Sequence, residues 1–249
     1  MKRYICADLL RLFKRVQRDI LIVLSIAATV VILCVMATMG KDPTLGNDYA
    51  SQIKGAIGLL GFVFGLLEII YIYGDDFKAK SMQIAIGSGI SRRRIVNSKW
   101  VIMMIMVAID LIILTIALLI TAPFVSIGFS MKSVLEIIAC VFYTWLSIIS
   151  SVGAVAILFF AAQGIGLGVL LYIGLQFGLF TKMLDIASAL LKIEKWHLSS
   201  YELTSLNNVF GARLELGNIS FPSLIGILIY MVLSFVITEV IFRHRELEF

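Results

Sequence analysis

The sequence predicts an all-α integral membrane protein. It should have six transmembrane helices, an N-terminal interfacial amphipathic helix, a cytoplasmic helix after the second span and short extracytoplasmic helices before the last. Three observations carry this reading. Of 249 residues, 60% are hydrophobic and only 15% charged, against about 25% charged in an ordinary soluble domain. Mean hydropathy is +1.01, more apolar surface than a soluble core of this length can hide. The apolar residues run in continuous stretches rather than alternating, which excludes a transmembrane β-barrel.

A helix needs about 20 apolar residues to cross about 30 Å of hydrocarbon. Six segments qualify: Ile20–Met39, Ile53–Tyr73, Trp100–Thr121, Val134–Phe160, Gly164–Phe180 and Pro222–Phe242. They form a single domain over residues 1–249. The fourth carries Ser147, Ser150, Ser151 and Gly153 and has room to bend, and the fifth follows it almost without a loop. The first is too long for a cleaved signal, and Ala37-Thr38-Met39 is a poor cleavage site.

Orientation follows from the basic residues. Of 21 Lys and Arg, fourteen lie before span one, between spans two and three, or in the C-terminal tail. Both termini are therefore expected in the cytoplasm, and the net charge of +5 reflects basic inner loops, not a nucleic-acid site. Cys6, Cys34 and Cys140 are expected as free thiols.

Residues 2–19 read as an amphipathic helix. Ile5, Leu9, Leu12, Phe13, Val16 and Ile20 fall on one arc, with Arg11, Lys14, Arg15 and Arg18 opposite. Such a helix lies in the interface with its cations toward lipid phosphates. The second span carries Gly58, Gly61, Gly65 and Glu68 on one side. Small residues admit a neighbouring helix. Glu68, and Asp110 halfway along the third span, must face protein, water or an interface. They are read either as packing features or as pathway and gating groups. Gly164, Gly168, Gly174 and Gly178 give the fifth span a close-packing face, within the subunit or across a dimer.

Residues 74–99 are too polar to cross the bilayer and too apolar for a disordered linker. They suggest a short helix over Phe77–Ile86, broken by Gly87 and Gly89, then a helix start capped by Ser91 that runs through Arg92–Arg94 into the third span. A short helix between two spans is a docking element. Residues 181–221 are expected outside, with Met183, Ile186, Leu190, Ile193 and Trp196 at helical spacing and turns at Asn207, Asn208, Gly211 and Gly217.

The sequence lacks GxxxxGK[ST], HExxH, CxxC and GxSxG. His197 and His244 fall on opposite sides of the expected membrane and cannot share a metal. Catalysis within the chain is not expected, nor any cofactor or metal.

The layout resembles the permease subunit of a type-2 ATP-binding-cassette exporter, of the bacterial lantibiotic, bacitracin or peptide export and immunity kind. The residues that carry the resemblance are Asp75, Asp76, Lys80–Ile86, Gly89, Ser91, Arg92 and Lys99. Many relatives have Gly-Thr after the acidic turn and Pro-Val before the Ser-Arg, where this chain has Lys80-Ser81 and Gly89-Ile90. The resemblance implies two permease chains, alike or related, in the bacterial plasma membrane above a cytosolic ATPase dimer that holds the ATP and magnesium. It implies an amphipathic peptide or lipid-like cargo. Coupling to the ATPase would fall to Lys80, Ser81, Met82, Gln83, Ile84 and Ile86, framed by Asp75, Asp76, Arg92, Arg93 and Arg94. Two other readings stay open: a gradient-driven transporter or ion exporter using Glu68 and Asp110, and a membrane sensor that binds peptide without moving it.

Overall fold

The computed structural model describes residues 2–39, 45–78, 81–125, 131–162, 164–191 and 198–244. These residues form helices α1 (Lys2–Phe13), α2 (Val16–Met39), α3 (Leu45–Ile69), α4 (Asp75–Lys78), α5 (Ser81–Gly87), α6 (Arg92–Val125), α7 (Met131–Ala162), α8 (Gly166–Gln176), α9 (Leu179–Leu190), α10 (Leu203–Glu215) and α11 (Phe221–His244). A π-helical turn, Ile70–Gly74, joins α3 to α4, and a 3₁₀ turn covers Leu198–Tyr201. No strand occurs among the described residues.

Among the described residues, five helices are long and apolar enough to cross a membrane: α2, α3 with its π turn, α6, α7 and α11. The chain is thus a multi-pass membrane protein. The expected fifth span differs. Its helix stops at Gln176, and α8 and α9 meet at 72°. Gly178 sits at the corner with φ +65°, a left-handed conformation that glycine adopts without the Cβ penalty. Gly178 is therefore a turn residue and not a packing one. Turns are also absent at Asn207, Asn208 and Gly211, which lie inside α10; the turn falls at Gly217, φ +75°. The Glu202 carboxylate accepts from the Ser205 backbone N–H at 3.2 Å, an N-cap that starts α10 ahead of those residues. Ile193 and Trp196 lie outside the described residues.

The spans run further than their apolar cores. α6 begins at Arg92, eight residues before Trp100, and α2 begins at Val16. The N-terminal amphipathic helix correspondingly ends at Phe13, and the backbone turns at Lys14–Arg15. That turn resets the helical phase, so the single arc from Ile5 to Ile20 does not persist. Leu12 is buried, while Phe13, Val16 and Ile20 are exposed.

α7 is the central element and packs against α3, α6, α8, α10 and α11. Its neighbours approach where side chains are small. A Cβ at Gly61 would strike Thr144, one at Gly65 the Tyr172 hydroxyl, and one at Gly168 the Phe159 ring. Gly153 lies under Trp100, where a Cβ would stand 2.7 Å from the indole. Gly174 meets Phe180, across the corner of the bent pair. Gly58 and Gly164 have no such neighbour among the described residues: the small-residue stripe of α3 is used only at its Gly61–Gly65 end. The Trp145 indole N–H donates to the Met104 carbonyl at 3.1 Å, and the Tyr172 hydroxyl to the Phe62 carbonyl at 3.3 Å.

These contacts set an expected contrast. Gly168→Ala should destabilise the detergent-solubilised protein by about 1–3 kcal/mol through overpacking. Gly58→Ala should leave the thermal midpoint unchanged or raise it slightly, since alanine is the better helix former.

Candidate functional site: two buried charge clusters

Arg18 occupies the first turn of α2, Glu68 the last turn of α3, and Asp110 the middle of α6. The three converge. Arg18 Nε donates to Glu68 Oε1 at 2.5 Å, and its Nη2 donates to Asp110 Oδ1 at 2.7 Å. The third arm, Nη1, reaches the neighbouring Asp19 at 2.9 Å. Arg18 is 2%, Glu68 0% and Asp110 1% exposed. The planar guanidinium suits this task because its donors point in fixed, divergent directions. Glu68 Oε2 and Asp110 Oδ2 are buried without a hydrogen-bond partner among the described residues.

This corrects the expectation for Arg18. It does not face lipid phosphates. It is turned into the bundle by the break after Phe13 and supplies the cation that both intramembrane acids require.

A second cluster ties α1 to the segment between α3 and α6. The Lys99 ammonium, 0% exposed, contacts the carboxylates of Asp8 and Asp76. Arg11 bridges the same two acids, at 2.8 Å to Asp8 and 2.7 Å to Asp76. Two cations therefore face two acids. Burial raises the Asp76 carboxyl, but the adjacent Lys99 and Arg11 charges outweigh it and hold the group below the usual carboxylate range. Burial, with Asp8 and Asp76 nearby, pushes the Tyr4 phenol up to about 12.

The expected coupling residues divide between two environments. Asp76 belongs to the second cluster. Arg92 instead donates to the backbone carbonyls of Phe242 and Arg243, at 2.9 and 3.1 Å, and lies over the Phe242 ring. Arg93 pairs with Glu239 at 3.2 Å, and Arg94 is exposed. Arg92 and Arg93 fasten α6 to the end of α11. On α5, Ile84 is 70% exposed, whereas Met82 is only 3% exposed and belongs to the core. Gln83 and Ile86 are half-buried. α5 therefore offers one outward apolar contact, Ile84, and not the pair Met82 and Ile84. Lys80 lies outside the described residues, and the side chains of Asp75 and Ser81 are likewise not among those described.

Below the π turn, aromatic rings form a packed base. Tyr73 meets Phe159 and Phe160 at 4.9 and 6.0 Å between centroids, and Phe160 meets Phe77 and Phe242 at 6.0 and 4.8 Å. Together the rings and ions bind α1, the α4–α5 segment, α6 and the end of α11 into one body. Among the described residues no group of three or more His, Cys, Asp or Glu is arranged to hold a metal. No family model matches this chain, and no curated protein matches it.

Sequence reasoning located Glu68, Asp110 and Asp76 but missed Arg18, Asp8, Arg11 and Lys99 as their partners. One signal was present. Two acids inside apolar spans require a cation at similar depth, and Arg18 adjoins the first span.

Removing one member of a buried ion network leaves uncompensated charge and costs about 3–5 kcal/mol, whereas replacing the whole network by apolar residues is often neutral. Arg18→Met should therefore lower the thermal midpoint more than Arg18→Met combined with Glu68→Leu and Asp110→Leu. The second cluster predicts a pH effect. Because the Asp76 pKa is lowered on folding, its contribution is complete above its unfolded value of about 3.9. It is lost as pH falls through the lower folded value. Unfolding followed from about pH 6 to pH 3 should show a loss of stability at the acid end that Asp76→Asn reduces.

Proposed function

We propose that this chain is the membrane-spanning subunit of an ATP-driven exporter in a bacterial plasma membrane, with hydrolysis performed by a separate cytosolic ATPase dimer. One observation carries the proposal. A short helix, α5, presents the exposed Ile84 from a segment whose base is locked by Asp76, Lys99, Arg11 and Asp8 to α1 and α6. A partner pressing on α5 therefore pushes against rigid spans rather than a slack loop. The resemblance of residues 74–99 to type-2 permeases supports the same reading. In it, both termini and α5 are cytoplasmic, the bent α8–α9 pair completes a sixth span, and a second permease chain forms the other half of the pathway. The cargo class is an amphipathic peptide or lipid-like molecule, moved for efflux, secretion or self-immunity. Glu68 and Asp110 serve as the anchoring acids of α3 and α6.

The test is co-purification in mild detergent with a soluble cytosolic ATPase that carries a Walker motif. Ile84→Asp should abolish ATPase stimulation and transport in reconstituted vesicles. Its effect on thermal stability should stay within about 0.5 kcal/mol, as for other exposed positions. Met82→Asp should instead destabilise the protein, because it buries a charge. Export driven by a proton or sodium gradient in the chain alone would replace this reading with that of a carrier. Labelling of Ile84→Cys only from outside intact cells would overturn the topology.

A further inference from the structure

A cavity of about 510 Å³ lies between the bent pair and α11, walled by Ala154 of α7, Leu171 and Leu175 of α8, Phe180 of α9, Leu203 of α10 and Tyr230 of α11. We propose that it is a binding site for one hydrocarbon chain of a membrane lipid. This assignment does not depend on whether the protein transports anything.

The cavity is built, not incidental. The 72° bend at Gly178 swings α9 away from the axis of α8 and opens the space. A polar knot then holds the bend. Glu202 Oε2 accepts from the Thr181 hydroxyl of α9 at 2.7 Å and from the Ser205 N–H at 3.2 Å. The Thr204 hydroxyl stands 2.9 Å from Glu202 Oε1 and 2.9 Å from the Leu175 carbonyl at the end of α8. Three helix ends are thereby fixed around one carboxylate.

The same bonds decide what the cavity can hold. Among the described residues Glu202 is the one acid on its wall; its Oε2 accepts from Thr181 and Ser205, and its Oε1 shares the Thr204 hydroxyl proton with the Leu175 carbonyl. The Tyr230 hydroxyl donates to the Tyr201 carbonyl at 3.0 Å. Ordered water needs two to four polar partners, and a peptide backbone needs its own hydrogen bonds satisfied. Neither finds open groups among the described residues here, whereas a chain of methylenes requires none. The surroundings supply that chain. Met183 and Ile186 of α9 are apolar and exposed, while Lys182 and Asp185 supply its polar side. That pattern turns the apolar side of α9 toward hydrocarbon and its charged side away from it. The cavity mouth, at Met183 and Ala187, therefore opens where acyl chains are.

The experiment uses the full chain in nanodiscs of phosphatidylethanolamine and phosphatidylglycerol, doped with phosphatidylcholine bearing a diazirine midway along one acyl chain. After irradiation, adducts are mapped by peptide mass spectrometry. Leu175 and Leu203 are buried, so bulk lipid does not reach them; adducts there are expected in the wild-type chain. Ala154→Phe fills the cavity from its floor and Ala187→Phe blocks it from its exposed rim. Each should cut those adducts by about tenfold, the cost of displacing roughly two methylenes from apolar cover. Adducts at the exposed Leu24 and Val232 should not change. Should Ala154→Phe fail to fold, Ala187→Phe gives the same readout from a surface position. The proposal fails if Leu175 and Leu203 are unlabelled in the wild-type chain, or if a folded variant labels them undiminished.

Discussion

One guanidinium, buried between two carboxylates from different spans, is the constraint on which the rest of the bundle depends. Arg18 cannot be withdrawn from Glu68 and Asp110 without leaving acids stranded in a medium that does not solvate them. It therefore fixes the depth and rotation of α2 against α3 and α6. The turn at Lys14–Arg15 follows from this. Arg18 must point inward while α1 lies across the end of the bundle, and one continuous helix could not do both.

From that point the architecture is a sequence of fastenings. α1, placed by the turn, brings Asp8 and Arg11 to Asp76 and Lys99. These ions set the base of α4 and the start of α6. The aromatic rings under the π turn carry the connection to α7 and α11. α5 then projects from a surface that has little freedom to yield. The opposite flank is arranged differently. There the helices α8, α9 and α10 are short, their meeting point is a glycine corner, and Glu202 and Thr204 hold three of their ends. Rigid ionic anchoring on one side and an apolar recess on the other give the molecule two distinct faces.

The continuous apolar runs made the spans legible in the sequence, because a helix is the form that satisfies the backbone in lipid within one segment. Their ends were not legible. Residues 92–99 are rich in charge, yet they are helical because Lys99 and Arg92 find partners in other helices. The acids at 68 and 110 were visible as costly residues in need of a cation. Their cation lies 50 and 92 positions away along the chain, and no local pattern encodes such a pairing. The glycine stripes showed that helices could approach but not where. Gly61 and Gly65 are covered by α7 and α8, while Gly58, one turn earlier, is not. Gly174-xxx-Gly178 had the form of a packing motif, but the second glycine serves the backbone and not a neighbour.

The placement of the two ionic networks bears on how the protein is made. Their members are Asp8, Arg11, Arg18, Asp19, Glu68, Asp76, Lys99 and Asp110, all encoded in the first half of the chain. A nascent polypeptide that has just delivered α6 to the bilayer already holds every member of both networks. The ribosome can then add α7 and the remaining helices onto a settled three-helix template, with neither network waiting in lipid for a member still to be translated.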